Sequence, residues 1–129
     1  MYNDFMKRSN RIAVVGASNN PEKWGFRLYH HLKNDGFTVF PVNPRESSIG
    51  GEKCYPDIKY IPEKPDLVIT VVKPEVTEKA LEDLLFLGIR KVWMQPGSES
   101  RKAVLFCKEH GIEVVYGSCY VVDGLKEEW

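Results

Sequence analysis

Residues 12–32 read IAVVGASNNPEKWGFRLYHHL. An apolar run from Ile12 to Val15 breaks at Gly16 and passes through a polar loop. From Gly25 the chain places Phe26, Tyr29 and Leu32 at helical spacing and stops at Asn34-Asp35-Gly36. This pattern predicts a strand, a glycine turn and a helix beginning near Trp24. In that arrangement the first amides of the helix, aided by its dipole, face whatever anion lies in front of them. The dinucleotide fingerprint G-x-G-x-x-G is not met, because Ser18 occupies its second glycine position and the glycine after Gly16 is Gly25. Two readings stay open. In one, Gly16 permits the bend, Ser18 offers a hydroxyl and Lys23 adds charge to a phosphate cradle. In the other, Gly16 serves only the bend and Gly25 only close helix packing.

Four further apolar runs follow: FTVFPV from Phe37, LVITVV from Leu67, KVWMQ from Lys91 and EVVYG from Glu113. They are rich in Val and Ile and mostly lack polar alternation, as strands buried on both faces do. Between them, Val76, Ala80, Leu84 and Leu87 share one helical face before Gly88, and Ala103, Phe106 and Cys107 share another before Gly111. Repeated helices that end in glycine and enter an apolar strand predict an α/β, Rossmann-like doubly wound sheet. It has about five mainly parallel strands and helices on both faces. The link from Asn43 to Asp66 holds Pro44, Gly50, Gly51, Pro56, Pro62 and Pro65. A short helical turn is expected around Glu46 to Ile49, and loop elsewhere.

The chain of 129 residues has the length of one domain, 1–129, with residues 1–10 as an N-terminal extension. Eighteen basic and eighteen acidic residues leave a formal net charge of zero, so no global field holds nucleic acid or an anionic membrane. The three cysteines, Cys54, Cys107 and Cys119, have no C-x-x-C spacing, and the apolar runs are too short to span a bilayer. The first residues carry a Lys-Arg pair without a following apolar segment of signal-peptide length, so a cytoplasmic protein is expected. Cys107 and His110 lie three apart on one helix, which is a poor metal site without further partners. His30 and His31 fall inside the first helix as surface or satisfied histidines. Neither a metal site nor a catalytic set is expected.

In a doubly wound sheet the ligand lies beyond the carboxyl ends of the strands, where strand order reverses. The second strand ends Pro41-Val42-Asn43-Pro44-Arg45, without the acidic residue that holds an NAD ribose. An arginine here suits a ribose bearing a phosphate, as in NADP or coenzyme A, because its guanidinium makes paired hydrogen bonds. Asn43 also fits a turn residue bonding its own backbone, and Pro44 a loop stiffener. After the third strand, Val71, Val72 and Pro74 form either an apolar shelf for a flat adenine or merely a helix start with proline at its first position. After the fourth, Gln95 either hydrogen-bonds a ligand or only caps.

The stretches VGASNNPEKWG, VFPVNP, IGGEKCYPDI, DLVITVVKPE and VWMQPGSES, in this order, resemble the stand-alone CoA-binding protein family. These are Rossmann-type proteins similar to the N-terminal CoA-binding domain of the succinyl-CoA synthetase alpha subunit and of ADP-forming acyl-CoA synthetases. The resemblance runs from about Arg11 to Val122. It implies that Gly16, Ala17 and Ser18, with Pro21, Lys23 and Gly25, cradle the CoA phosphates. It also implies that Val42, Asn43, Pro44 and Arg45 surround the 3′-phosphate end, that Val71, Val72 and Pro74 face the adenine, and that Gln95 and Gly97 line the site toward the pantetheine. Gly117-Ser118-Cys119 looks like a variant of the turn after the last strand in the synthetases. The synthetases carry a further domain with a phosphorylated histidine, for which no room is expected before Trp129.

The resulting expectation is a non-catalytic CoA or acyl-CoA binding module acting as carrier, sensor or partner. The alternative is an NADP- or NAD-binding redox protein or enzyme subunit on the same fold. A third reading has Cys54 or Cys119 forming a mixed disulfide with the pantetheine thiol. Tyr116, Tyr120 and Val121 offer either an apolar patch for a homodimer or partner enzyme, or sheet-edge packing.

Overall fold

The computed structural model describes residues 2–129. The elements in chain order are α1 (Asn3–Met6), β1 (Arg11–Val15), α2 (Trp24–Asn34), β2 (Thr38–Val42), β3 (Ser48–Ile49), β4 (Glu52–Lys53) and a 3₁₀ turn (Ile58–Tyr60). Then come β5 (Leu67–Thr70), α3 (Pro74–Leu87), β6 (Lys91–Met94), α4 (Arg101–Glu109), β7 (Glu113–Tyr116) and a π-turn (Tyr120–Gly124). Five strands form one sheet in the order β2-β1-β5-β6-β7, and every neighbouring pair is parallel. The fold is therefore the α/β Rossmann-like one that the Val- and Ile-rich runs predict. The order reverses between β1 and β5: from β1 the chain crosses to β2 on one side, and later strands build outward on the other.

The sheet separates two apolar layers. On one face α1, α2 and the π-turn pack Phe5, Leu28, Tyr29, Leu32, Tyr120 and Val121 against Ile12, Val14, Leu67, Ile69 and Trp93. On the other, α3, α4 and the 3₁₀ turn pack Ile58, Leu81, Leu84, Ala103 and Cys107 against Ala13, Val15, Val68, Val92 and Met94. Alternate residues of β1 and β5 feed opposite layers, which explains why both strands are apolar without interruption. At ~25 cal/mol per Å² of apolar surface removed from water, this two-sided burial is the main stabilising contribution.

Three sequence expectations are corrected by the structure. Glu46 to Ile49 is not helical, because Ser48–Ile49 pairs antiparallel with Glu52–Lys53 around Gly50 and Gly51 at φ 58° and 81°. Two consecutive positive φ values make this the tight hairpin turn that glycine pairs favour. Tyr120 and Val121 do not form a surface patch. After Gly117 the chain folds back, both side chains are fully buried, and Tyr120 meets Trp93 edge-on at 5.1 Å. Only Tyr116 of that trio is exposed. Finally, β7 is an edge strand with Glu113 and Tyr116 exposed, so burial on both faces does not extend to it.

Residues 3–10 are tied into the fold. Phe5 is buried against Trp93, and the buried Asn10 side chain donates to the carbonyls of Asp4 and Phe5 at 2.8 and 3.2 Å. No helix among the described residues is long and apolar enough to cross a membrane.

Candidate functional site

At the carboxyl ends of β1 and β5 lies a cleft of about 910 Å³. It sits at the reversal of strand order, where doubly wound sheets hold ligands. Gly16 forms its floor at φ 106°, with its amide donating to the Val42 carbonyl at 2.9 Å. A Cβ on Gly16 would lie 2.5 Å from the Val71 carbonyl oxygen, so only glycine lets this turn rest on the end of β5. Gly25 is tighter still. A Cβ there would stand 1.8 Å from the Gly16 carbonyl oxygen. The first turn of α2 is thus pressed onto the glycine loop, and the packing role left open for Gly25 is the observed one.

The loop between them is held by short side-chain turns. Ser18 Oγ accepts from the Asn20 amide at 3.0 Å, Asn20 Oδ1 accepts from the Glu22 amide at 3.0 Å, and Asn19 Nδ2 donates to the Ser48 carbonyl at 2.9 Å. The loop ends at Lys23, an extended residue that precedes α2 without a side-chain cap. In α4, by contrast, Ser100 accepts from the Ala103 amide at 3.0 Å. The uncapped α2 terminus keeps unpaired amides at the cleft, and the helix dipole adds positive potential there. This is the local chemistry of a phosphate site.

Asn43 braces the opposite wall. Its Nδ2 donates to the Ala17 carbonyl at 2.8 Å, its Oδ1 accepts from the Arg45 amide at 2.9 Å, and its backbone amide donates to the Tyr55 carbonyl at 2.9 Å. It is therefore both a turn residue and a strut between the β1 and β2 loops. Val42, Asn43, Pro44 and Arg45 all line the cleft, as do Gly16, Ser18, Lys23, Gly25, Val71, Val72, Pro74 and Gly97. Pro74 is also the first residue of α3, so the helix-start and shelf readings hold together.

Three expected residues lie outside this lining. Ala17 is fully buried and offers only its carbonyl, to Asn43. Pro21 is exposed on the outer loop. Gln95 is buried, and its side chain points to the segment after β7, accepting from the Tyr120 amide at 2.7 Å and donating to Cys119 Sγ at 3.5 Å. Both ends of its amide are thus engaged inside the protein, and α4 is capped by Ser100 instead, so Gln95 serves neither as a cleft group nor as a helix cap.

The α3 wall, absent from the sequence reading, is supplied by Val76, Lys79, Ala80 and Asp83, facing Asp57 and Ile58 of the 3₁₀ turn. Positions 76, 80 and 83 follow the i, i+4, i+7 rule of one helix face, which would have found them from Pro74 onward. Burial raises the Asp83 carboxyl above its usual range, opposed by Lys59 at 3.7 Å. Lys23, Arg45, Lys73 and Lys79 face the cleft with Glu46, Asp57 and Asp83, so the cationic groups outnumber the carboxylates locally although the chain is neutral. At the β6 end, buried Ser98 Oγ lies 2.9 Å from Thr70 Oγ1 and donates to the Gln95 carbonyl at 2.8 Å, fixing the Pro96-Gly97 turn.

A model of the CoA-binding domain family matches residues 10–124. The chain belongs to that family. As a CoA-binding domain it is 31% identical over 127 residues to the alpha subunit of acetate–CoA ligase [ADP-forming] II of Pyrococcus furiosus. The match covers 90% of this chain and 28% of that subunit. It is 29% identical over 119 residues to the YneT protein of Bacillus subtilis, covering 92% of this chain and 88% of that one. A solved structure of a conserved hypothetical protein from Pyrococcus furiosus superposes with a TM-score of 0.82 at 38% identity, covering 85% of this chain and 95% of that one. The CoA-binding domain thus spans less than a third of the ligase subunit and most of the two smaller proteins.

The cysteine and histidine positions sort by burial. Cys54 is buried, its thiol donates to the Asn43 carbonyl at 3.6 Å, and burial raises its pKa, so it is a poor partner for disulfide exchange. Cys107 is buried within the α4 layer, with its thiol pushed up to about 11, while His110 Nδ1 pairs with the Phe106 carbonyl at 2.8 Å. The two do not converge. Cys119 is half-buried behind Gln95, outside the cleft lining.

Proposed function

We propose that this CoA-binding domain binds coenzyme A or acyl-CoA in the β1/β5 cleft without catalysing a reaction on it, serving as carrier, sensor or partner of another enzyme. The observation that carries the reading is the meeting, in one cleft, of the uncapped α2 terminus with Arg45 and the α3 shelf. CoA has the matching parts: a pyrophosphate for the helix amides, a 3′-phosphate for a guanidinium and an adenine for an apolar wall. Under this reading Gly16, Ser18, Lys23 and Gly25 meet the pyrophosphate, Arg45 and Lys23 the 3′-phosphate, and Val71, Val72, Pro74, Val76 and Ala80 the adenine. Ala17 and Asn43 hold these walls in place, and Gly97 flanks the pantetheine.

The non-catalytic part rests on YneT, which this domain matches over 88% of its length, so the unit recurs in a chain with little beyond it. Residues 1–129 would then act as one cytoplasmic unit, alone, as a homodimer or docked on an enzyme. A thermal-shift comparison of CoA, dephospho-CoA, NADP, NAD and ATP tests the reading. A ligand at ~100 times its dissociation constant adds about 2.7 kcal/mol of stability, a rise of several degrees for a domain of this size. CoA is expected to give the largest rise, and dephospho-CoA a smaller one. A rise with NADP or NAD but not CoA would transfer the cleft to a redox cofactor.

A further inference from the structure

Residues 125–129 lie beyond the segment matched by the family model, yet they are tied to α2 at both ends of that helix. Near its last turn the Glu127 carboxylate meets His31 Nε2 at 2.9 Å and Arg8 at 3.2 Å, and Arg8 continues to Asp35 at 2.7 Å. The Glu127 amide also donates to the Val121 carbonyl at 3.0 Å. Lys126, at φ 62°, makes the bend that brings Glu127 there. Near the first turn of α2, the Trp129 indole stacks on that of Trp24 with centroids 5.5 Å apart and planes at 21°. The Arg27 guanidinium lies over both rings, at 4.6 and 5.1 Å, and His31 meets Trp129 edge-on at 6.0 Å.

Trp24 is the member of this group that lines the cleft, and it is 56% exposed. An indole left half in water costs hydrophobic stabilisation unless a ligand or partner covers it. Two contacts, the stacked Trp129 ring and the Arg27 guanidinium, hold this one at the mouth rather than letting it turn away, and Arg27 lies over Trp129 as well. With adenine on the α3 wall and phosphates at the α2 amides, the part of CoA that continues past the phosphates is its pantetheine arm. That arm is an apolar amide chain of the kind that packs on an indole face.

We propose that Trp24 is a binding residue for the pantetheine arm and that Trp129 is its positioning residue, with residues 125–129 forming a strap along α2 that fixes the Trp24 indole at the cleft mouth. The inference rests on the CoA reading above.

The test is calorimetric titration of wild type, Trp24→Ala, Trp129→Ala and Trp129→Phe with CoA and with adenosine 3′,5′-bisphosphate, which lacks the arm. Thermal melts establish that each variant is folded. Trp24→Ala and Trp129→Ala are expected to weaken CoA about fivefold, the range of one aromatic contact, and to leave the bisphosphate within about twofold. Trp129→Phe, which can still stack, is expected to recover most of the loss. Equal weakening of both ligands would show a general structural role and overturn the proposal. Unchanged CoA affinity in Trp24→Ala and Trp129→Ala, with wild type binding CoA, would overturn it alone. Wild type that binds neither ligand would overturn the CoA reading and this inference with it.

Discussion

Replacing Gly25 by alanine puts a methyl group where the structure has none to spare. The added Cβ would stand 1.8 Å from the Gly16 carbonyl oxygen and 3.4 Å from Ala17 Cα. Ordinary contact begins near 3.4 Å, so the first turn of α2 or the glycine loop must retreat by about 1.6 Å. Neither moves freely. The Gly16 amide is bonded to Val42, and α2 packs Leu28, Tyr29 and Leu32 into the core. Helix propensity favours alanine over glycine by about 1 kcal/mol, but overpacking against backbone costs typically 1–3 kcal/mol and occasionally more. A retreat of this size against backbone belongs at the upper end, about 3 kcal/mol, so the expected net loss is about 2 kcal/mol. At roughly 3–5 °C per kcal/mol for a domain of this size, the melting temperature should fall by about 6–10 °C. The retreat also separates the α2 amides from Gly16. A hydrogen bond to a charged group contributes about 1.5–3 kcal/mol, so CoA affinity should drop tenfold or more. Differential scanning calorimetry followed by CoA titration reads both. A variant that melts within 1 °C of wild type and binds CoA normally would refute the argument that the α2 terminus is pressed onto the loop. A sharper comparison is Gly97→Ala, where φ is positive at 94°, unlike that of the helical Gly25, but no atom lies within 4 Å of the added Cβ. Its cost should be that of the left-handed conformation alone, about 1–2 kcal/mol.

Other consequences are as direct. Arg45→Ala should weaken CoA about tenfold while leaving dephospho-CoA unchanged, measured by titration, because the guanidinium would lose only its 3′-phosphate partner. Gln95→Leu should cost about 2–3 kcal/mol in urea unfolding by leaving the buried Tyr120 amide unpaired, yet CoA affinity of the folded fraction should stay within about twofold. The hydrogen bond from Arg11 holds the Asp66 carboxyl below the usual aspartate range. A depressed carboxyl contributes stability above its unfolded pKa and loses it as pH falls through the folded one. Wild type should therefore lose melting temperature as pH falls from the usual aspartate range downward, and Asp66→Asn should show a shallower acid limb.

Much of this architecture was legible because single residues carry unambiguous signals. Uninterrupted Val and Ile in β1 and β5 mark strands buried on both faces, and Gly36, Gly88 and Gly111 mark where helices give way to strands. The β3–β4 hairpin escaped because two-residue strands have no periodicity to read, although the Gly50-Gly51 pair was the turn signal. For the cleft, the rule that ligands lie beyond strand ends located Gly16, Asn43, Arg45 and Val72. It failed for Gln95, whose amide faces the π-turn, since position after a strand does not set side-chain direction. Val76, Ala80 and Asp83 were hidden because their role comes from one face of α3 rather than from a loop. The Trp24–Trp129 stack is a contact between distant parts of the chain, with no local pattern to announce it.

The central claim, that the β1/β5 cleft is a CoA site read through its 3′-phosphate, is tested most directly by isothermal titration of wild-type protein with CoA and dephospho-CoA under identical conditions. Saturable one-to-one binding of CoA, with dephospho-CoA weaker by about tenfold, is the predicted result. Absence of CoA binding, or equal affinity for the two ligands, would contradict it.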